Sequence, residues 1–485
     1  MGTFHGLEMA KRAMFTQQSA IHTTGHNIAN ANTKGYTRQR VNFQTTTPYP
    51  VPGRNQPQIP GQIGTGVEAG SIDRIRTQYL DAQYRSENSK AGYWNTATEA
   101  FSRMEELMNE PSENGLSHTM NEFWDALQVL GNNPENTGAR SVVAQRGQAV
   151  AETFNYISNT LESIRSDLNN QIDVTVKDAN SLIERIGELN QQIQQIEPHG
   201  YVANDLYDER DRLIDELSQI VNIEVSYRKS SPSSKDNADG IATIELIGSQ
   251  GEKLGVKLVD GEKGELQKLT YNSTDPSSVS VGEMGFPISG DNGSLNALIH
   301  AYDDHYPEMK MKMDEMAKVL QEQFNAIHQA GYDLNGENGV DFFKGETSGD
   351  LEVNPDILKD PTLIAVSGRD DKKGDGSNAL KLAEILYEPL ENTALGENTS
   401  INGFYQALIG EMGVKAQKAN TMAKNTDILK TQIDGQRMSV SSVSLDEEIS
   451  NLIKFQHAYN AAARNITTID EMIDRIINGM GIVGR

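Results

Sequence analysis

The stretch LDEEISNLIKFQHAYNAAARNITTIDEMIDRII, residues 445–477, decides how this chain is built. Leu445, Leu452, Tyr459, Ile466 and Ile473 fall on one strict seven-residue line, and Ile449, Phe455, Ala462, Ile469 and Ile476 follow them by three or four places. Two apolar positions in every seven make the seam of a coiled coil, narrower than the stripe of a helix lying on a core. A strict period of seven implies a left-handed supercoil with a partner helix. At the standard rise this helix would be about 50 Å long.

The partner is at the other end of the chain. Leu7, Met14, Ile21 and Ile28 are also seven apart. Residues 1–60 carry six basic side chains against the single acid Glu8, whereas residues 445–485 carry six acids against four bases, so the two ends should attract each other. Each fully buried Leu or Ile contributes roughly 1.5–3 kcal/mol, while ordering a backbone costs about 1–2 kcal/mol per residue. Two such helices alone should be marginal and frayed in a monomer, and stable when many copies pack side by side.

Between the ends the period changes twice. Residues 7–29 read as helix, broken by the turn at Asn30–Tyr36. Residues 37–76, with Pro48, Pro50, Pro52, Pro57 and Pro60, read as an extended linker with short strands around 36–45 and 67–76. Helical spacing starts near Thr77. Asn133-Pro134 reads as a helix N-cap followed by proline at the first helical position. From Val150 through Leu168, Ile172, Thr175 and Leu182 to Ile196 a 3/4 spacing predicts one helix of roughly 70 Å, with a stutter at Leu168–Ile172. A second helix is expected at Asp205–Val221. Period two then takes over: Ile223, Val225 and Tyr227 alternate, as do Ile244 and Leu246, Val256 and Leu258, and Leu269 and Tyr271. Helix resumes at Ser294–Ala330, with a kink expected at Pro307. A short helix is expected near Ala379–Tyr387 and a long one at Ile401–Ile433.

The predicted fold class is mainly α with a small β insert. The domains are expected to nest: 1–36 with 439–485 as a terminal coiled coil, 37–76 as linker, 77–222 with 290–438 as a helical middle, and 223–289 as a β domain at the tip farthest from the chain ends.

The 485 residues carry a formal charge of −25, which argues against nucleic acid. There is no cysteine, hence no disulfide and no thiolate ligand. No apolar run is long enough for membrane insertion. Met1–His5 lacks the basic and apolar regions of a signal peptide, so composition alone would place the chain in the cytoplasm.

No catalytic constellation is visible, and no cofactor is expected. His22 and His26 are four apart on one helix face, but the pattern lacks the glutamate of a hydrolytic zinc helix, and two exposed polar residues are the plainer reading. Gly64, Gly66 and Gly70 read as turn chemistry rather than a dinucleotide loop. The loops at Asp333–Gly339 and Asp370–Gly376 depart from the calcium pattern and read as solvated turns. Met309, Met311, Met313 and Met316 read as core, and the acid-rich run Asp205–Glu216 as a salt-bridged helix face.

The segment Asn27-Ile28-Ala29-Asn30 with Thr33, Gly35 and Tyr36 resembles the N-terminal signature of bacterial flagellar rod, hook and hook-associated proteins. Leu445–Leu452, Gln456–Tyr459 and Ile466–Asp470 resemble the C-terminal signature of the same group. Glu110–Ser117, Asn132–Glu135, Asn204–Leu206 with Asp211–Leu213, and Asp333–Gly336 are similar to the hook-associated protein 1 branch. The resemblance is weakest over 223–289.

It implies a non-enzymatic subunit of the hook–filament junction, located outside the cell on the flagellum. Export would be unfolded, through the flagellar type III apparatus, without a cleaved signal. The implied partners are further copies of the chain, the hook protein, the second hook–filament junction protein and an export chaperone on the C-terminal segment. Leu7, Met14, Ile21, Ile28, Leu445, Leu452, Tyr459, Ile466 and Ile473 are the expected assembly residues. The alternatives are another axial protein, such as hook or second junction protein, or a surface-binding module using the insert as an adhesin.

Overall fold

The seam helix forms and lies along the first helix of the chain. A computed structural model describes residues 3–50, 53, 54, 61–108, 115–249, 251–272, 279–282, 284–286, 290–370, 372–390, 394–396 and 398–479. Pro52, Pro57, Pro60, Glu110–Asn114, Asp371 and the residues beyond Gly479 therefore lie outside the described residues. Helix α1 (Thr3–Ala29) and the last helix, Leu445–Gly479, run antiparallel. Asn27, late in α1, bonds Glu448 at the start of the last helix, while a methyl added at Gly6 would lie 3.2 Å from Ile469.

After α1 the chain forms an antiparallel hairpin, β1 (Gln39–Thr45) and β2 (Val67–Arg74), whose register shifts between Asn42 and Phe43. The two strands fall where short strands are expected; they pair with each other and are held by neighbours at both ends of the hairpin, where an extended linker was the expectation. The hairpin's outer part lies on the terminal helices: Thr16 Oγ1 donates to the Val67 carbonyl at 3.1 Å, and Phe43 meets Phe455 edge-on with ring centroids 5.9 Å apart.

Helices α2 (Gln78–Met108), α3 (Leu116–Asn132) and α4 (Thr137–Ile196) follow. The N-cap of α4 is Asn136, not Asn133: its side chain accepts from the Gly138 and Ala139 amides at 2.9 and 3.2 Å. Pro134 disfavours helical backbone at the residue before it, and Asn133 instead ends α3, its N–H reaching the carbonyls of Val129 and Leu130. The 60 residues of α4 span about 90 Å. Its buried stripe runs Leu168, Ile172, Val176, Ala179, Ile183 and Ile186, so Val176 and Ile183 take the places expected for Thr175 and Leu182. Two successive four-residue steps follow the 3.6-residue period of a straight helix.

Helix α5 (Asn204–Ile220) leads into strands β3 (Ile223–Arg228), β4 (Ile241–Ile247), β5 (Lys253–Asp260) and β6 (Glu265–Leu266), which form one antiparallel sheet. Strands β7 (Leu269–Thr270), β8 (Ser280–Val281) and β9 (Met284–Gly285) form another. The insert lies along the second half of α4 rather than at the far tip. The Asn190 and Asn180 side chains each bond the backbone N–H and C=O of a strand residue, Ala242 and Leu269 respectively, and the Tyr271 hydroxyl donates to the Asn169 carbonyl. Ile244, Leu246 and Leu258 are buried in the same core as Ile183, Ile186 and Leu213.

Helix α6 (Ser294–His300) passes through a π-helical stretch, Ala301–His305, into α7 (Tyr306–Ala330). The break thus precedes Pro307, with the Tyr306 N–H reaching back five residues to Ala301. Met309, Met313 and Met316 are buried and Met311 is exposed.

The tip away from the chain ends is built by α3, the start of α4, and the segment after α7. That segment carries β10 (Phe343–Lys344), β11 (Glu352–Val353), α8 (Pro355–Lys359) and α9 (Ser377–Tyr387). Phe123, Phe324, Phe342 and Phe343 are fully buried there. The buried Arg140 donates to the carbonyls of Pro134 and Ile364 at 3.0 and 2.6 Å. Asp333 is buried rather than solvated, and its carboxylate accepts from the Asn335 and Glu337 amides.

His328, fully buried, bonds the Val340 carbonyl through Nδ1 and accepts the Ala365 amide at Nε2, 2.9 Å away. Burial, opposed by the bond to Val340, pushes its pKa down to about 4. The unfolded imidazole takes up a proton below about pH 6.5, whereas the folded one does so only near 4. This contribution to stability is therefore complete above 6.5 and falls as the pH drops towards 4. Amide exchange in residues 357–366, compared with α5 as internal reference, should accelerate over that window. His328→Gln should flatten the dependence.

Helix α10 (Ile401–Ser441) packs along α2, where Trp94, Ala97 and Phe101 meet Ala419 and Ala423. It continues past the expected end at Ile433, so the boundary drawn between 438 and 439 falls inside a helix. Only Ser442–Ser444 separate it from α11 (Leu445–Gly479).

Candidate assembly interface

The seam side chains are only partly covered. Leu7, Met14, Ile21 and Ile28 on α1 are half-buried, as are Leu452, Tyr459, Ile466 and Ile473 on α11, while Leu445 is 45% exposed. Phe455 and Ile469 are half-buried, and Ile449 and Ile476 are exposed. Among the described residues, the apolar side chains of α1 and α11 that are fully buried are three alanines, Ala10, Ala20 and Ala462. The rest of the close contact is polar: Thr16, Thr23, Thr24, Asn27 and Glu448 are buried. A further stripe, Leu445, Ile449 and Ile453, faces outward at 45–49% exposure.

The signature after α1 is a hydrogen-bonded hub. Asn27, 1% exposed, uses all four of its bonding positions. Its Nδ2 donates to the Gln39 carbonyl and to Glu448 Oε2 at 2.8 and 2.9 Å; its Oδ1 accepts from the Gln39 amide and the Tyr36 hydroxyl at 3.0 and 2.8 Å. One side chain thus ties α1, the hairpin and α11 together. Burial, and then the charges of Asp205, Asp208 and Glu448, push the Tyr36 hydroxyl well above the usual phenol value, so it stays a donor. His26 Nδ1 lies 3.0 Å from the same hydroxyl, whereas His22 is exposed. Thr33 Oγ1 donates to Asn30 Oδ1, and Gly35 closes the turn at φ +86°. Ala29 is exposed. Arg38 completes the joint, reaching Glu448 at 2.8 Å and Glu447 at 2.8 and 3.1 Å.

Asn27→Ala removes a partner from Glu448, from both polar groups of the Gln39 backbone and from Tyr36. A buried polar group left unpaired costs about 1–3 kcal/mol. Limited proteolysis of the variant should cut within residues 3–36 at least several-fold faster than in the parent, with α4 unchanged.

Beneath this hub lies a buried ionic cluster. Arg74 reaches Asp208 at 2.7 Å and Asp211 at 3.0 Å, and also pairs with Asp239. Arg76 reaches Asp81 at 2.6 Å and Asp211 at 3.2 Å. Arg85 reaches Asp215 at 2.8 Å and Asp211 at 3.6 Å, and Arg437 from α10 reaches Asp215 at 2.6 Å. Arg210, fully buried, donates to the Gly240 carbonyl at 2.6 Å and lies between the rings of Tyr207 and Tyr227. Burial works against the Asp211 charge, but Arg76, Arg74, Arg210 and Arg85 overcome it and hold this carboxyl far below the usual range. The run Asp205–Glu216 is therefore only half a solvated face: Arg212 pairs with Glu209 and Glu216 on the outside, while Asp208, Arg210 and Asp211 turn inward.

A cleft of about 540 Å³ separates the signature loop, residues 31–37, from α5 and the end of α10. Among the described residues no group of three or more His, Asp or Glu is placed to hold a metal ion.

The same two ends are matched by family models: flagella basal body rod protein over residues 7–37, and the C-terminal model of flagellar basal body rod FlgEFG protein over 435–479. The model of the flagellar hook-associated protein FlgK helical domain matches residues 101–343. Flagellar hook-associated protein 1 of Bacillus subtilis is 43% identical, over 100% of this chain and 99% of its own. The chain belongs to the flagellar hook-associated protein 1 family. The Escherichia coli member is 24% identical over 95% of this chain and 97% of its own. The hook junction protein FlgK of Burkholderia pseudomallei superposes with a TM-score of 0.61 at 14% identity, covering 74% of this chain and all of that one, a likeness of fold. As a hook-associated protein 1, the molecule is a structural component of the flagellum at the hook–filament junction. Asn27–Tyr36 sits inside one rod-type match and the α11 seam inside the other.

Proposed function

We propose that the α1–α11 pair is the assembly element, and that it completes its burial against the pairs of neighbouring copies to form the inner wall of the junction. The observation that carries this is the thin seam: three alanines fully buried, larger apolar side chains half-covered, and Leu445, Ile449 and Ile453 facing out. Residues 1–36 with the C-terminal helix act as one unit, and the helical body with its β insert forms the outer shell. The hook protein abuts one side of the assembly and the second junction protein the other. The work is mechanical, with no catalytic step. The chain travels unfolded through the type III apparatus without a cleaved signal, and a chaperone covers the C-terminal segment beforehand. That order suits a pair of helices with little shelter of their own.

Electron microscopy of purified hooks incubated with this protein tests the reading. The full chain should cap hook ends, and a chain lacking residues 445–485 should not. Equal capping by both would overturn the proposal. An adhesin role for the insert has no observation of its own, and deleting 223–289 is not a clean test, because that segment covers Ile183, Ile186 and Leu213.

A further inference from the structure

The buried ionic cluster has a charge count that depends on where the hairpin is. The body contributes five aspartates: Asp81 on α2, Asp208, Asp211 and Asp215 on α5, and Asp239 in the loop before β4. It supplies three arginines in return, Arg85, Arg210 and Arg437. Arg74, at the end of β2, and Arg76, two residues on, bring the count level. Both are largely buried, with side chains 6% and 13% exposed, and every charged group they touch belongs to the body. Asp434 also pairs with Arg437, but it is 37% exposed on the solvent edge and stands outside the buried count.

We propose that the body carries an acidic socket for Arg74 and Arg76, and that filling it seats the hairpin and, through the hairpin, orients the terminal helices. Without the hairpin, two buried carboxylates lack a counter-charge, and burying an unpaired charge is costly. The body is thus poised to capture a basic segment. The hairpin's other end holds the helices through Thr16–Val67, Phe43–Phe455 and the approach of Gly66 to Met9. The socket therefore determines where the assembly element points. This is a property of the single chain and does not depend on the assembly reading.

Hydrogen exchange of the full chain tests it, with Arg74→Met and Arg76→Met combined. Amides of residues 39–45 and 67–74 should exchange at least about tenfold faster, with α4 unchanged. Adding Asp208→Asn and Asp239→Asn, which again balances the count at three and three, should bring exchange back to within about threefold of the parent. Unchanged exchange in the double variant would overturn the proposal. So would failure of the two asparagines to restore protection, since the arginines would then act by packing. Loss of protection throughout α4 would also overturn it, by making the cluster part of the core rather than a separable socket. Capping of hooks by the rescued variant is a separate readout, so failure of assembly and failure of the socket remain distinguishable.

Discussion

Ile466→Asp is expected to abolish incorporation of the subunit into the junction while leaving its body folded. Ile466 is half-buried on α11, one turn before Ile469, which packs at Gly6. In the single chain an aspartate there can turn towards water, and the long core of α3, α4 and α7 does not touch it. The monomer should lose about 1–2 kcal/mol at most, confined to the terminal pair. Once neighbouring pairs close over the seam, the carboxylate has no route to water, and an unpaired buried charge costs at least several kcal/mol. The same residue recurs in every copy, so the penalty recurs at every contact. Cells carrying the variant should make hooks without filaments, and the purified protein should keep the parent's main thermal transition. Ile466→Val should assemble normally. Normal filaments on Ile466→Asp cells would remove the seam from the assembly interface.

The features readable in the sequence were those with a local period. The sevens of α11 and the 3/4 spacing of α4 depend on residues within two turns of one another, so no partner need be known. Even there the spacing misled at Thr175 and Leu182, because continuing a seven-residue rhythm through the stutter ignores the drift of a straight helix; Val176 and Ile183 are the buried residues. The choice between Asn133 and Asn136 as N-cap was open by composition, both being good caps. It was decided by Pro134 and by the turn in which the Asn136 amide bonds the Asn133 carbonyl. The last turns of α10 carry no apolar period, and Arg437 there is anchored by Asp215. The ionic cluster was least legible. Its arginines lie at 74, 76, 85, 210 and 437, and nothing local separates an arginine that will be buried from one that will face solvent. The weak signal was the likeness of Asn204–Leu206 and Asp211–Leu213 to family motifs, and Asn204 indeed bonds Gln39 of the hairpin at 3.1 Å. The signature itself was visible as a string, but that Asn27 makes four bonds, to Tyr36 in the loop, Gln39 on β1 and Glu448 on α11, follows only from the fold.

Asp211→Ala should be among the most destabilising single changes in the body. The carboxylate is 2% exposed and meets Arg74, Arg76 and Arg85 while accepting the Tyr227 hydroxyl at 2.9 Å. Removing it leaves five buried or half-buried arginines facing four aspartates, and breaking buried pairs in this way costs about 3–5 kcal/mol. Asp211→Asn keeps the shape and a bond to Tyr227 but not the charge, so it should lose nearly as much, whereas a purely steric role would leave it near the parent. The pH dependence separates the two further. The arginines hold the folded pKa of Asp211 far below its unfolded value, so the stabilisation is complete above the unfolded pKa of about 3.9 and is lost progressively as the pH falls from there towards the folded pKa. In urea titrations between pH 7 and pH 2, the gap between parent and Asp211→Asn should therefore be widest at neutral pH and narrow below about pH 4. The acid-induced loss from His328 occurs in both proteins and cancels in the difference. A gap that stays constant with pH would mean that Asp211 acts as a hydrogen-bonding spacer, and that the arginines around it find their counter-charge elsewhere.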